Sequence, residues 1–266
     1  MEVLAIYLML GAAAGTLAGL LGVGGGLIIV PVLFEVFTQI GMESSVKMHM
    51  AIATSLATIL LTSISSTYEH HRHQAVLWSV FWRLTPAILV GAVLGAIIVD
   101  YLTTSVLTVC FAVFELFVAY QMWFSIKPKT SRTLLGLSGM LSAGGVIGCI
   151  SSMIGIGGGT LTVPFLLWCN QGIRKAVATS AACGFPIALA SALAYGFLGN
   201  NESGVPEQSA GYIYLPAFIS ISIMSLLFAP LGAKLTHRLP VVMLKKIFAV
   251  LLFLLGLRMM MLIVWI

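Results

Sequence analysis

Apolar residues in this chain do not alternate with polar ones at the two-residue period of a half-buried strand. They come in long runs separated by short polar connections, near 3–37, 50–68, 77–99, 103–126, 134–169, 176–199, 211–233 and 241–264. Six of the runs match the about 20 helical residues that cross a bilayer core. The runs 3–37 and 134–169 are too long for one crossing and too short for two with a turn. Each is interrupted by a glycine triplet, Gly24-Gly25-Gly26 or Gly157-Gly158-Gly159, where a continuous helix is weakest. The pattern predicts a re-entrant or broken helix pair in each, entering and leaving on the same side. The first run carries Glu2 where a signal peptide has basic residues, and is expected to belong to the mature fold.

The pattern also occurs twice. Gly22 to Pro31 returns as Gly155 to Pro164 at an offset of 133, and Ala53-Thr54-Ser55 returns as Ala178-Thr179-Ser180 at 125. Leu94-Gly95-Ala96 matches Leu231-Gly232-Ala233, and Phe111-Ala112-Val113 matches Phe248-Ala249-Val250, both at 137. The changes of offset fit within the polar loops near 38–49 and 199–211. The expected organisation is a first repeat over 1–126, a cytoplasmic linker over 127–133 and a second repeat over 134–266. The fold class is an all-α integral membrane protein of two repeats, each a broken helix pair plus three transmembrane helices, eight helical segments in all. Repeats of this kind mark many transporter folds.

Composition sharpens the class. Of 266 residues, 60% are hydrophobic and 8% charged, with a mean hydropathy of +1.10. An ordinary soluble domain is about 25% charged, so a water-soluble globule, a disordered chain and a secreted disulfide scaffold are excluded. Cys110, Cys149, Cys169 and Cys183 lie in apolar runs without metal-ligand spacing, and read as reduced, buried small hydrophobes. The net charge of +5 sits in short loops, so it reports orientation in the lipid bilayer rather than a nucleic-acid partner.

Orientation tests the hairpins. Eight plain crossings would divide the basic residues almost evenly. Two hairpins and six crossings put Arg72, Arg83, Lys127, Lys129, Arg132, Arg174, Lys175, Lys234, Arg238, Lys245 and Lys246 on one side, and Lys47 alone on the other. That split is what the positive-inside rule asks for. The termini are then non-cytoplasmic, and three crossings per half, an odd number, make the repeats inverted.

Several residues could carry chemistry. A half-helix starting at Gly24–Leu27 or Gly157–Thr160 aims free N–H groups and the positive end of its dipole into the membrane, which suits a small anion. The competing reading is a glycine-rich face for close helix packing. Thr54, Ser55, Thr179 and Ser180 are hydroxyl candidates for the same anion, against ordinary back-bonding to their own helices. Together with Thr160, the triplets and these hydroxyls form the expected substrate site. Glu115 lies mid-span and Arg258 inside the last run; they read as a proton-coupling site or as a structural ion pair. The run Glu69 to His73 reads as a solvated helix end, and no metal or other cofactor is expected. Gly136-Leu137-Ser138-Gly139 matches the GxSG of intramembrane serine proteases, but the only later histidine, His237, falls in a basic loop. A non-enzyme is expected.

The paired Gly-x-Gly-Gly-Gly…Pro segments, each followed by Ala-x-Thr-Ser, resemble the TauE/SafE family of sulfite and organosulfonate exporters over essentially the whole chain. The resemblance implies a multi-pass inner-membrane carrier for a small sulfur oxyanion or sulfonate, driven by the proton gradient. It places the site at Gly24–Gly26 and Gly157–Gly159, with Leu27 where the second half has the more polar Thr160. A secondary transporter of a small anion by alternating access is the expectation. A carrier of another solute such as a carboxylate is the alternative within transport, and an intramembrane hydrolase using Ser138 the alternative outside it. Association into a homo-oligomer stays open.

Overall fold

The computed structural model describes residues 2–21, 24–124, 134–235 and 241–264. Ten α-helices account for most of them: α1 Glu2–Leu21, α2 Gly26–Gln39, α3 Lys47–Arg72, α4 Trp78–Asp100, α5 Thr104–Trp123, α6 Leu137–Ile154, α7 Gly159–Trp168, α8 Ile173–Leu198, α9 Leu215–Leu235 and α10 Val241–Val264. A small hairpin, β1 Ser209–Ala210 and β2 Ile213–Tyr214, pairs Ser209 with Tyr214 just before α9. The linker expected at 127–133 lies outside the described residues.

Both long apolar runs break at their triplets, so the eight expected segments become ten helices. The halves are unequal. Only α2, with 14 residues, and α7, with 10, are short; α1 has 20 and α6 has 18, enough to cross a bilayer. The two breaks lie within the bundle, beside Ile59 and Ile52 of α3, while by length α1 and α6 exceed half-helices. Their internal glycines do not interrupt them, because they are contact points for a neighbouring helix. Among the described residues seven helices, α1, α3, α4, α5, α6, α8 and α9, are long and apolar enough to span a membrane. The chain is a multi-pass membrane protein.

Glycine sets how these helices pair. A Cβ on Gly11 would strike Ile221, one on Gly15 would strike Ser225, and one on Gly232 would strike the Thr16 carbonyl, so α1 and α9 lie backbone to backbone. The same contact recurs between α4 and α6, where Gly144 meets Leu84, Gly148 meets Ile88 and Gly95 meets Cys149. Without a hydrophobic driving force between helices in lipid, such close approach is what dispersion attraction and Cα–H contacts need.

α3 and α8 pack against each other in the middle of the bundle and are the most enclosed of the candidate spans. α3 is also the least apolar of them, with mean hydropathy 1.5 against 2.0 for α1. Burial explains the combination: a helix shielded from lipid can carry Thr54, Ser55, Thr58, Thr62, Ser63 and Ser66, because protein carbonyls satisfy most of their hydroxyls. The peripheral helices instead turn Val90, Phe117, Leu227 and Phe253 outward, a surface that only lipid tolerates over such an extent. Tyr68, Trp78 and Trp82 are exposed at helix ends close in sequence to Arg72 and Arg83, and Trp123 ends α5, as an interfacial aromatic belt requires. All four cysteines are free thiols, and Cys110 is exposed on the outer face of α5 rather than buried.

Candidate functional site

The two triplets meet. Gly24 and Gly25 adopt left-handed backbone with φ of 82° and 74°, and Gly155 caps α6 with φ of 76°. These values favour glycine and turn the chain sharply from α1 into α2 and from α6 toward α7. A Cβ on Gly24 would lie 3.0 Å from the Gly157 Cα, and one on Gly26 would collide with the Gly155 carbonyl and crowd Ile156. The breaks thus sit back to back, against α3 and α8. Neither α2 nor α7 has a side-chain N-cap, so no side chain competes for the N–H groups of their first turns.

Beside this crossing lies a narrow cavity of about 10 Å³, room for a water-sized particle. Gly24, Gly157, Gly158 and Ser180 line it, so four of the expected residues come together. The other expected residues do not reach it. Gly25 is crowded by Ala14 and Gly26 by the α6–α7 turn, which makes these two packing positions. Gly159 starts α7, and the Thr160 hydroxyl is buried without a partner away from the cavity.

The paired hydroxyls have structural partners. Thr54 Oγ1 accepts from the backbone N–H of Tyr214 at 3.0 Å, and Thr179 Oγ1 accepts from the backbone N–H of Leu77 at 2.9 Å. Each threonine thus ties the start of one central helix to the chain entering α9 or α4. Ser55 Oγ donates to the Gly155 carbonyl at 2.8 Å, joining α3 to the second glycine break. Ser180 Oγ donates to Val177 on its own helix, also at 2.8 Å.

The cavity adds residues that motif matching missed: Ala18, Ile59, Thr62, Ser63, Ser66, Ala181 and Gly184. A signal existed. Thr58, Thr62, Ser63 and Ser66 recur at helical spacing in an otherwise apolar run, a polar stripe on one face of α3.

Glu115 is fully buried on α5, and neither carboxylate oxygen has a hydrogen-bond partner among the described residues. Its reading as the ion-pair partner of Arg258 is corrected. The Arg258 guanidinium binds Glu35 of α2 instead, with Nη2 2.8 Å from Oε1 and Nε 3.3 Å from Oε2. Neither Glu115 nor Arg258 lines the cavity beside the glycines. Glu35 aligns at the offset of 133 with Trp168, so this bond tethers the first short helix and has no equivalent in the second half.

At one end of the bundle, His49 Nε2 lies 3.1 and 3.0 Å from the carbonyls of Val99 and Leu102, and its ring stacks on Tyr212. Tyr212 donates to Asp100 at 2.9 Å; burial first, and that bond second, hold its phenol above the ordinary range. At the other end Glu69 pairs with Arg72 and His73, and His71 Nδ1 accepts from the Trp78 indole. Ser138 is exposed at the second residue of α6, away from the cavity, and His237 lies outside the described residues.

Comparison with known proteins agrees with a transport fold. The profile of the family described as "Sulfite exporter TauE/SafE" matches residues 7–259. A probable membrane transporter protein of Haemophilus influenzae is 37% identical over 256 residues, covering 96% of this chain and 97% of the relative. A probable membrane transporter protein of Methanocaldococcus jannaschii is 28% identical over 244 residues, covering 89% of this chain and 87% of the relative. No solved structure matches the chain.

Proposed function

Because the chain belongs to the sulfite exporter TauE/SafE family of membrane transporters, we propose that it exports a small anion, sulfite or an organosulfonate, as a secondary transporter of the inner membrane. The observation that carries this reading is the cavity where both glycine breaks meet α3 and α8. Backbone N–H groups at helix starts hold an anion without a cationic side chain, which keeps the binding weak enough for release. The cavity admits only a water-sized particle, so an anion enters when α3 and α8 part.

Alternating access follows from two repeats, 1–126 and 134–266, related by a two-fold axis. Residue-level packing supports it. The contacts Gly11–Ile221, Gly15–Ser225 and Thr16–Gly232 become Gly144–Leu84, Gly148–Ile88 and Cys149–Gly95 when the sequence offsets of 133 and 137 are applied. Thr54 and Thr179 exchange in the same way. α3 and α8, the equivalent central helices, run antiparallel: Thr54 near the start of α3 meets the chain beyond α8, and Thr179 near the start of α8 meets the chain beyond α3. An antiparallel relation between equivalent spans supports inversion across the membrane plane. With each broken pair entering and leaving on one side, the split of basic residues supports termini on the non-cytoplasmic side. Glu115, a buried carboxyl with no partner, carries the coupling proton.

The test is transport by the full chain in proteoliposomes, with labelled sulfite, a taurine-type sulfonate and a small carboxylate, each with and without a pH gradient. Sulfite or sulfonate flux that rises with the gradient is expected. Flux of the carboxylate alone would move the substrate class, and no flux of any anion would end this reading.

A further inference from the structure

Four side-chain hydroxyls line the cavity, those of Thr62, Ser63, Ser66 and Ser180. An anion accepts hydrogens and donates none, and a hydroxyl has one hydrogen to give. Thr62 gives its hydrogen to the Thr58 carbonyl at 2.9 Å, Ser63 to Leu60 at 2.9 Å and Ser180 to Val177 at 2.8 Å. With those bonds made, these three offer only lone pairs to the cavity. Ser66 differs. It is 5% exposed, and its buried Oγ has no hydrogen-bond partner among the described residues.

The repeat relation gives the position a second meaning. At the offset of 125 that aligns Ser55 with Ser180, Ser66 aligns with Ser191 of α8. Ser191 Oγ donates to Ser152 Oγ at 2.9 Å, and Tyr195 closes over the same residue by donating to the Ser152 carbonyl at 3.1 Å. Ser152 aligns at 133 with Gly19, which has no hydroxyl, so Ser66 lacks the partner that Ser191 has. Because α3 and α8 are antiparallel, equivalent hydroxyls stand toward opposite ends of the pair, one free beside a cavity and one locked in a bond.

From this asymmetry we infer that Ser66 is the side-chain donor that recognises the anion, and that Ser191 takes over this role when access switches and its bond to Ser152 opens. The inference rests on the anion-transport reading and adds to it the residues that distinguish an oxygen-bearing anion from a neutral solute. A donated hydrogen bond to a charged acceptor is worth about tenfold or more in affinity once its target is desolvated.

The full chain in nanodiscs, titrated calorimetrically with sulfite, tests the first half. Ser66→Ala should weaken binding about tenfold or more with an unchanged melting temperature, while Ser66→Thr, which keeps a hydroxyl, should stay within about threefold. Oriented proteoliposomes test the second half by half-saturation for sulfite offered at each face: Ser66→Ala should raise it at one face and Ser191→Ala at the other. Wild-type affinity in Ser66→Ala, or both alanine variants acting at the same face, would overturn the inference. Failure of the wild-type chain itself to bind sulfite is a separate result and overturns the proposed substrate.

Discussion

At the residue scale, glycine plays two different parts within a few positions, and substitutions separate them. Gly184 has room for a methyl: a Cβ there would make ordinary contact, 3.5 Å from Ser63 Cβ and 3.9 Å from the Gly158 nitrogen, at the cavity wall. Gly184→Ala should therefore fold and melt like the parent, and lose sulfite transport because one methyl fills the space the anion needs. Gly26 has none, since its Cβ would enter the Gly155 carbonyl. Gly26→Ala should cost about 1–3 kcal/mol of stability by overpacking, read as a lowered melting temperature. A stable Gly26→Ala protein would contradict the back-to-back arrangement of the two breaks. Glu115 makes a separate prediction. Among the described residues no side chain pairs with the buried carboxyl, so Glu115→Gln should leave the fold intact and remove the dependence of flux on the pH gradient. Persistent coupling in that variant would assign the proton elsewhere.

At the element scale, the two aligned threonines are joints. Each accepts the backbone N–H of the residue leading into α4 or α9. Thr54→Val and Thr179→Val keep the shape and strand a buried donor, so each should destabilise by about 1–3 kcal/mol, and by similar amounts. Thr→Ser at either site should restore most of the loss. Thermal unfolding of the four variants measures this, and a large loss at only one position would break the equivalence of the joints. The helix starts of α2 and α7 were visible in the glycine triplets, because a break and its φ angles depend on local chain chemistry. That α1 and α6 are full-length was not visible. Their glycines Gly11, Gly15, Gly144 and Gly148 are contact points for α9 and α4, which only the packing shows.

At the scale of the whole molecule, the orientation is testable with single cysteines in a cysteine-free chain. Cysteines at Glu2 and Glu202 should react with a membrane-impermeant reagent added outside cells, and those at Arg72 and Arg174 only after permeabilisation. Labelling of Glu2 from the cytoplasmic side would reject the inverted arrangement. The packing pairs α1 with α9 and α6 with α4, so each half of the chain is completed by helices of the other. Such exchange makes one bundle of the chain, because the glycine faces of α1 and α6 find their partners in α9 and α4.

Several features were fixed by sequence alone. Run length and scarcity of charge determine that the chain spans a membrane, because the energetics of lipid leave helices as the solution for such runs. The glycine triplets determine the places where helices break. Tertiary structure decided which candidates share a site. Gly24, Gly157, Gly158 and Ser180 meet at one cavity, Ser55 and the two threonines are bound up elsewhere, and Arg258 turns to Glu35 instead of Glu115. The reason is the short reach of a hydroxyl or a guanidinium. A sequence states that a donor exists on a helix, but whether its hydrogen is free, as at Ser66, or already given to a carbonyl, as at Ser180, depends on atoms within about 3 Å.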